Sequence, residues 1–187
     1  MRHLRKGRVL GRSPSHRKAL FKNLASAIFL TERETTELEA NVPKVPGRII
    51  TTLEKAKEIR PIVEKVITIA RKALVAEAAA AQFAPQAERG TDAWKEWRKS
   101  DNWKKWCEAR APGVTARRRA LRILGDKKAV YILFDKVAPR FADRPGGYTR
   151  IMRLAKPRVG DAGTRAILEF VGKNDRVSKK ASKPSFE

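Results

Sequence analysis

Apolar residues recur at helical spacing in several long stretches of the chain and yield to short β-prone runs between them. Ser13-Pro14 has the form of a helix start, with a capping hydroxyl followed by proline in the first helical position. Leu20, Leu24, Ala27 and Ile28 then follow at helical spacing. Residues 31–47 are acidic and then carry Pro43, Pro46 and Gly47, which predicts a loop, and RIITT at 48–52 reads as a short strand. A second helix is predicted from Leu53, with Ile59, Val63, Val66, Ile67 and Ala70 along it. Pro61 marks a kink or a redefined start in that helix. An alanine-rich stretch extends it to about Ala84, where Pro85 and Gly90 break it.

The run WKEWRKSDNWKKWCEAR places Trp94 and Trp97 three apart, and likewise Trp103 and Trp106. On one continuous helix the two pairs would face opposite sides, because nine residues turn through ~900° at ~100° each. A break at Ser100-Asp101-Asn102, with a fresh cap, lets both pairs face one surface. Thr115 begins a further helix through Leu124, ended by Gly125, and Asp126 caps the next. Ala129, Val130, Leu133, Phe134 and Val137 form one apolar face, and Pro139 stops the helix. Two runs, Tyr148–Leu154 and Arg165–Val171, flank a turn-rich segment at 157–163 and predict a β-hairpin. Residues 172–187 are basic and polar, without core signal, and read as a flexible tail.

Charge turns this pattern toward a partner. The 187 residues hold 43 Lys and Arg against 20 Asp and Glu, a net charge of +23. Residues 1–30 carry +8 and residues 115–187 carry +12, while 31–75 carry +2 and 76–114 only +1. That segregation predicts two regions that touch a polyanion, nucleic acid first and an acidic membrane surface second, separated by a segment with another task. No apolar run is long enough for a transmembrane helix, and no apolar stretch suited to a signal peptide follows the basic start. The single Cys107 precludes an internal disulfide and fits a reducing compartment.

Four constellations carry candidate chemistry. In the arm of residues 1–12, Arg2, Arg5, Lys6, Arg8 and Arg12 can neutralise phosphates, and His3 and His16 can hydrogen-bond or stack; the bland alternative is a solvated terminus. In the loop PRFADRPGGYTRI, Arg140, Arg144 and Arg150 can take phosphates, Gly146 and Gly147 allow close backbone approach, and Tyr148 can stack on an exposed base. The alternative there is a turn with Tyr148 packed on the core. Arg117, Arg118, Arg119 and Arg122 cluster on a helix on which 118 and 122 share a face. The tryptophans sit in a nearly neutral segment, so burial against the body or a neighbouring subunit is favoured over stacking on bases. Two histidines and one cysteine give no metal set of standard spacing, and neither a P-loop nor a nucleophile elbow occurs, so nothing marks an enzyme and no metal or cofactor is expected. Rival readings are a DNA-binding regulator (helix, Gly125 turn, helix over 115–137), an RNA-modifying or nucleolytic enzyme, and a peripheral membrane protein.

The opening MRHLRKGRVLGRSPSHRKALFKNL, the run LEKAKEIR, the run VTARRRALRILGDKKAVYILFDKVAPRFADRPGGYTRI and the closing RVGDAGTRAILEFV resemble the family of bacterial large-subunit ribosomal proteins numbered seventeen. Most of the chain is covered. The resemblance implies an α/β (α+β) fold: several helices packed in two layers on a small mixed sheet, with an extended basic amino-terminal arm. It implies one domain over 13–171 and a structural role in binding large-subunit rRNA near the polypeptide exit tunnel, without catalysis or cofactor. The expected place is the cytoplasmic ribosome, with an organellar ribosome left open. Ser15, His16, Arg17, Lys22 and Asn23 join the expected RNA-binding set with the residues above. The chain departs from the family pattern in a longer loop at about 35–47, a helical tryptophan-bearing insertion at about 76–114, and the tail. Neighbouring ribosomal proteins are expected at the insertion, through Trp94, Trp97, Trp103 and Trp106, and no homo-oligomer is expected.

Overall fold

The computed structural model describes residues 7–36 and 39–172. The expectations for the first six residues of the arm and for the tail from residue 173 lie outside the described residues. The elements run α1 (Pro14–Leu30), β1 (Arg48–Thr52), α2 (Leu53–Ala81), α3 (Asp92–Lys99), α4 (Asp101–Leu124), α5 (Lys127–Ile132), a π turn (Leu133–Val137), α6 (Ala138–Arg140), β2 (Thr149–Arg153) and β3 (Arg165–Phe170).

α1 starts as its sequence dictates: Pro14 is the first helical residue and the Ser13 hydroxyl accepts the His16 N–H at 3.4 Å. It buries Ala25, Ile28 and Phe29. α2 continues through Pro61 for 29 residues without a new start. A proline inside a helix costs about 3 kcal/mol or more. Pro61 lies on the exposed side, whereas Ala56, Ile59, Val63, Val66, Ile67 and Ala70 are fully or almost fully buried. Burying each of the larger of these contributes ~1.5–3 kcal/mol, so packing outweighs the proline.

α4 corrects one expectation. The helix expected to begin at Thr115 is the second half of a continuous helix from Asp101 that holds Pro112 within it. The reason is tertiary. α4 lies along α2, and a Cβ on Gly113 would sit 3.2 Å from Glu77 Cγ, so glycine lets the two helices approach. The break at Ser100 is as read from the sequence, but the fresh cap is not: Ser100 ends α3 and opens α4, and its hydroxyl donates to Trp97 O at 2.6 Å instead of capping α4. Gly125 at φ +77° closes α4, and Asp126 caps α5, its Oδ1 accepting from Lys128 N at 2.7 Å and Ala129 N at 3.2 Å.

Pro139 does not end the following helix, contrary to expectation; helical structure persists to Arg140. A π turn precedes the proline, with the Ala138 N–H reaching back to Leu133 O. The wider turn moves aside the carbonyl against which a proline ring would clash in an α-helix.

The sheet has order β1-β3-β2 and both ladders are antiparallel, so the sheet expected to be mixed is not. The hairpin of β2 and β3 is as predicted, and β1 adds to the far edge of β3. Because side chains alternate between faces, Ala166, Leu168 and Phe170 all enter the core. The other face brings Arg48, Glu169 and Arg150 into one cross-strand row. Glu169 is 1% exposed, receives Arg48 at 2.6 Å on one oxygen, and pairs with Arg150 through the other.

Breaking a buried ion pair costs about 3–5 kcal/mol, and these arginines reach solvent, so Glu169→Gln is expected to destabilise the chain by about 2–3 kcal/mol. The urea midpoint at fixed salt, with an unchanged denaturant slope, measures it.

Candidate nucleic-acid interface

The predicted RNA-binding residues separate into two groups once ion pairs are traced. Arg140 makes a bidentate pair with Glu32, 3.0 Å to each oxygen, and the Glu32 side chain is 3% exposed. Gly47, at φ +74°, covers that pair; a Cβ there would lie 2.7 Å from Glu32 Oε1. Arg150 is held by Glu169, and Arg8 by Glu58 on α2. Arg117 bonds Glu77 at 3.0 Å and lies over the Phe134 ring at 4.4 Å. These arginines hold the fold together. A phosphate would have to compete with a carboxylate already in place.

Tyr148 is a correction. It is 1% exposed and packs on Phe141 with ring centroids 5.1 Å apart, so its ring cannot stack on an RNA base. The apolar surroundings of Phe141 and Phe170 take the ring inward, which the alternation of the strand that follows does not reveal. In the same loop Arg144 is exposed and donates to Gly146 O at 3.1 Å, while Gly147 turns at φ +64°. Arg140, Arg144 and Pro145 border an open groove of about 610 Å³ with Val171 and Gly172.

The second group is free of ion pairs among the described residues: Arg17, Lys18, Lys22, Arg118, Arg119, Arg122, Lys127 and Lys128. Of these, all but Arg17 are exposed. Their gathering has a local cause. The Ser26 hydroxyl donates to Leu124 O at 2.9 Å and ties α1 to the end of α4. Lys22, one turn earlier on α1, packs so that its Cδ would lie 3.5 Å from a Cβ on Gly125. Arg118 and Arg122 occupy the last turns of α4, and Lys127 and Lys128 open α5 just past Gly125. Ser15, His16 and Asn23 are exposed on α1, and Arg12 is half-buried with its guanidinium near Leu10 O at 3.5 Å. The predicted loop does not join this cluster: Lys127 and Arg140 are the ends of one helical run, which separates them by roughly 20 Å at ~1.5 Å per residue. Arg2, His3, Arg5 and Lys6 lie outside the described residues.

Sequence reasoning missed Lys127 and Lys128 as interface candidates, and Tyr131, which is 63% exposed. The apolar periodicity that points Val130, Leu133, Phe134 and Val137 inward also points 128 and 131 outward, so the signal was present for those two. The same burial makes the second helix of the supposed helix-turn-helix a core element.

The tryptophans cluster across the Ser100 break. Trp97 meets Trp103 and Trp106 edge-on at 5.3 and 5.7 Å, and Trp103 stacks on Trp106 at 5.3 Å. Arg98 lies over Trp94 and Trp103, and Arg110 over Trp106, within 5.3 Å. No residue of α3 is buried, so the cluster packs on itself rather than under the body. No helix among the described residues is long and apolar enough to cross a membrane.

A sequence profile of the family described as "Ribosomal protein L17" matches residues 20–171. The chain belongs to the ribosomal protein L17 family. It is 66% identical to the large ribosomal subunit protein bL17 of Rhodopirellula baltica, over 100% of this chain and 89% of that one. The bL17 of Desulfotalea psychrophila is 34% identical, over 95% of each chain, and that of Nitratidesulfovibrio vulgaris 35%, over 91% and 87%. As an L17 family member the chain is a structural, non-enzymatic constituent of the large subunit of the cytoplasmic ribosome.

The two groups of cations differ in what their removal does. Arg118→Ala with Arg122→Ala is expected to leave the melting temperature in place and to lower the salt slope of rRNA binding by ~0.7–0.9 per arginine. Arg140→Ala is expected to lower the melting temperature, because it removes the bidentate guanidinium from the buried Glu32 carboxylate. Thermal melts and filter binding at several salt concentrations separate the two.

Proposed function

We propose that this chain binds and stabilises large-subunit rRNA near the polypeptide exit tunnel. The observation that carries the reading is the gathering of Lys22, Arg118, Arg122, Lys127 and Lys128 where α1, α4 and α5 meet, next to an amino-terminal stretch of +8. Among the described residues these cations have no carboxylate to satisfy them, whereas Arg8, Arg48, Arg117 and Arg140 do. A surface left in that state is stabilised by phosphates. Arg118 and Arg122 would hold phosphates, as would Lys22 and Arg17; Ser15, His16 and Asn23 are placed to hydrogen-bond beside them. Arg2, His3, Arg5, Lys6 and Arg12 would extend the contact along the arm, with Arg8 holding the arm to Glu58 of α2, and Arg144 with the Gly146-Gly147 turn would form a second contact. The position near the tunnel rests on the family resemblance.

The organisation that fits this reading is an RNA-binding arm over 1–12, one domain over 13–171, an insertion at about 76–114, and a basic tail. The insertion consists of the end of α2, α3 and the first half of α4, and presents the tryptophan cluster. Its near-neutral charge and half-exposed aromatics suit a neighbouring ribosomal protein.

Sedimentation of a lysate through a sucrose gradient tests the reading. The chain is expected with the large subunit at moderate salt. With ~6–10 phosphates contacted, its affinity for duplex-like rRNA is expected to fall ~10³–10⁵-fold between ~50 and ~200 mM salt. Sedimentation with chromosomal DNA would overturn the reading. Chemical footprints far from the tunnel exit would overturn the placement alone. Replacing 76–114 with a short glycine-rich link is expected to leave rRNA affinity unchanged, and a large loss would remove the protein-contact reading of the tryptophans.

A further inference from the structure

Tyr131 stands apart from the other aromatic side chains. Phe29, Phe134, Phe141, Tyr148 and Phe170 are each at most 3% exposed, and among the described residues Tyr131 is the one aromatic that is largely exposed. Its place is fixed from beneath, because Val130, Leu133, Phe134 and Val137 anchor the same helical run in the core. A platform held by a buried helix loses little conformational freedom when a ligand arrives.

The surroundings define the ligand. Lys127 and Lys128 precede Tyr131 by four and three residues, so both ammonium groups lie on its side of the helix. Lys22 reaches the same junction from α1. None of these lysines has an ion pair among the described residues. Tyr131 and Lys128 together border an open groove of about 490 Å³, with Leu30 and Ile132 as its apolar walls and Arg33, Glu34, Glu39 and Lys136 as its charged ones. The carboxylates there are mostly committed: Glu34 to Lys136 at 2.9 Å and Glu39 to Arg33 at 3.3 Å. The bond from Lys136 holds the Glu34 carboxyl below its ordinary pKa, so it stays an anion paired with its lysine. Asp135, exposed one turn beyond Tyr131, is the remaining acid on this face and disfavours phosphate on that side. The arrangement is polarised along the helix, with Lys127 and Lys128 before the ring and Asp135 after it, and Lys128 also lines the groove beside the ring.

We propose that Tyr131 is a stacking platform for one unpaired rRNA base, with the flanking phosphates held by Lys127, Lys128 and Lys22. The inference rests on the rRNA-binding reading above and names a contact within it. An aromatic face accepts any base, and phosphates supply the charge that these lysines lack. A protein partner would have to bring carboxylates to the lysines and an apolar side chain to the ring in one segment.

The test compares full-length variants for binding to the organism's own large-subunit rRNA over a range of salt. Tyr131→Ala is expected to weaken binding ~5- to ~100-fold without changing the salt slope. Tyr131→Phe, which keeps the ring, is expected to bind as the parent does. Lys127→Ala with Lys128→Ala is expected to lower the slope by ~0.7 per lysine on single-stranded RNA. Tyr131 is exposed, so unchanged thermal melts show that each variant folds. Parental binding by Tyr131→Ala, with the lysine effect intact, overturns the stacking contact and leaves the rRNA reading in place. Parental rRNA binding by Tyr131→Ala with loss from assembled subunits assigns the ring to a neighbouring protein and overturns the proposal. Failure of the parent itself to bind rRNA is a failure of the underlying reading, distinguishable from either.

Discussion

Glu169 lies under two arginines from two different strands, and the sheet depends on that contact. β1 and β2 touch β3 from opposite sides, and Arg48, Glu169 and Arg150 form a single row across all three. A one-residue slip of either outer strand would send its arginine to the core face and leave the Glu169 carboxylate short of a partner. The cost of an unpaired buried carboxylate exceeds what one ladder hydrogen bond contributes, at several kcal/mol against about 1. Charge therefore helps fix a register that the apolar pattern alone leaves to Ile49, Leu168 and Ile151 on the opposite face.

The same economy of carboxylates recurs through the molecule. With 43 cations and 20 acids, the chain repels itself wherever positive charges gather. Glu32, Glu58, Glu77 and Glu169 are each spent on an arginine distant in sequence, and each pair ties two elements together: the loop after α1 to α6, the arm to α2, α2 to α4, and the outer strands to β3. Among the described residues around Gly125 no carboxylate is paired with a distant cation. The Ser26 to Leu124 hydrogen bond draws α1 against α4 through a neutral contact, so Lys22 and the lysines of α5 arrive beside one another without an ion pair, the one carboxylate between them, Asp126, being turned to the α5 backbone. This leaves the isolated chain with an electrostatic cost there, which a polyanion relieves.

Much of this fold is legible in the sequence because the signals are local. Ser13-Pro14 and Gly125-Asp126 announce helix ends through capping chemistry that needs only neighbouring residues. The β2–β3 hairpin follows from two β-prone runs and a turn. What the sequence hides is long-range. Arg48 and Glu169 are 121 positions apart, and Arg140 and Glu32 are 108 apart, so no spacing rule distinguishes a structural arginine from a phosphate ligand. Arg117 and Arg118 are adjacent, yet one bonds Glu77 and the other meets solvent. The continuity of α4 through Pro112 is hidden for the same reason, since it rests on Gly113 fitting against Glu77.

Extending α2 and α4 together has a consequence for the tryptophan segment. α2 is 29 residues and α4 is 24, so the pair is roughly 43 and 36 Å long at ~1.5 Å per residue. Beyond Ala73 of α2 and before Ala120 of α4, only Ala80 and Gly113 are buried in that pair, against more than a dozen apolar residues around the core. Two helices joined so thinly would fray at the tip. The tip is instead closed by Trp97, Trp103 and Trp106, whose ring contacts each contribute about 0.5–1.5 kcal/mol beyond buried area. Arg98 and Arg110 cap the outer ring faces. The tryptophans thus form a small core of their own at the end of the helical pair, and a rigid, nearly neutral projection results from a chain that is otherwise strongly basic.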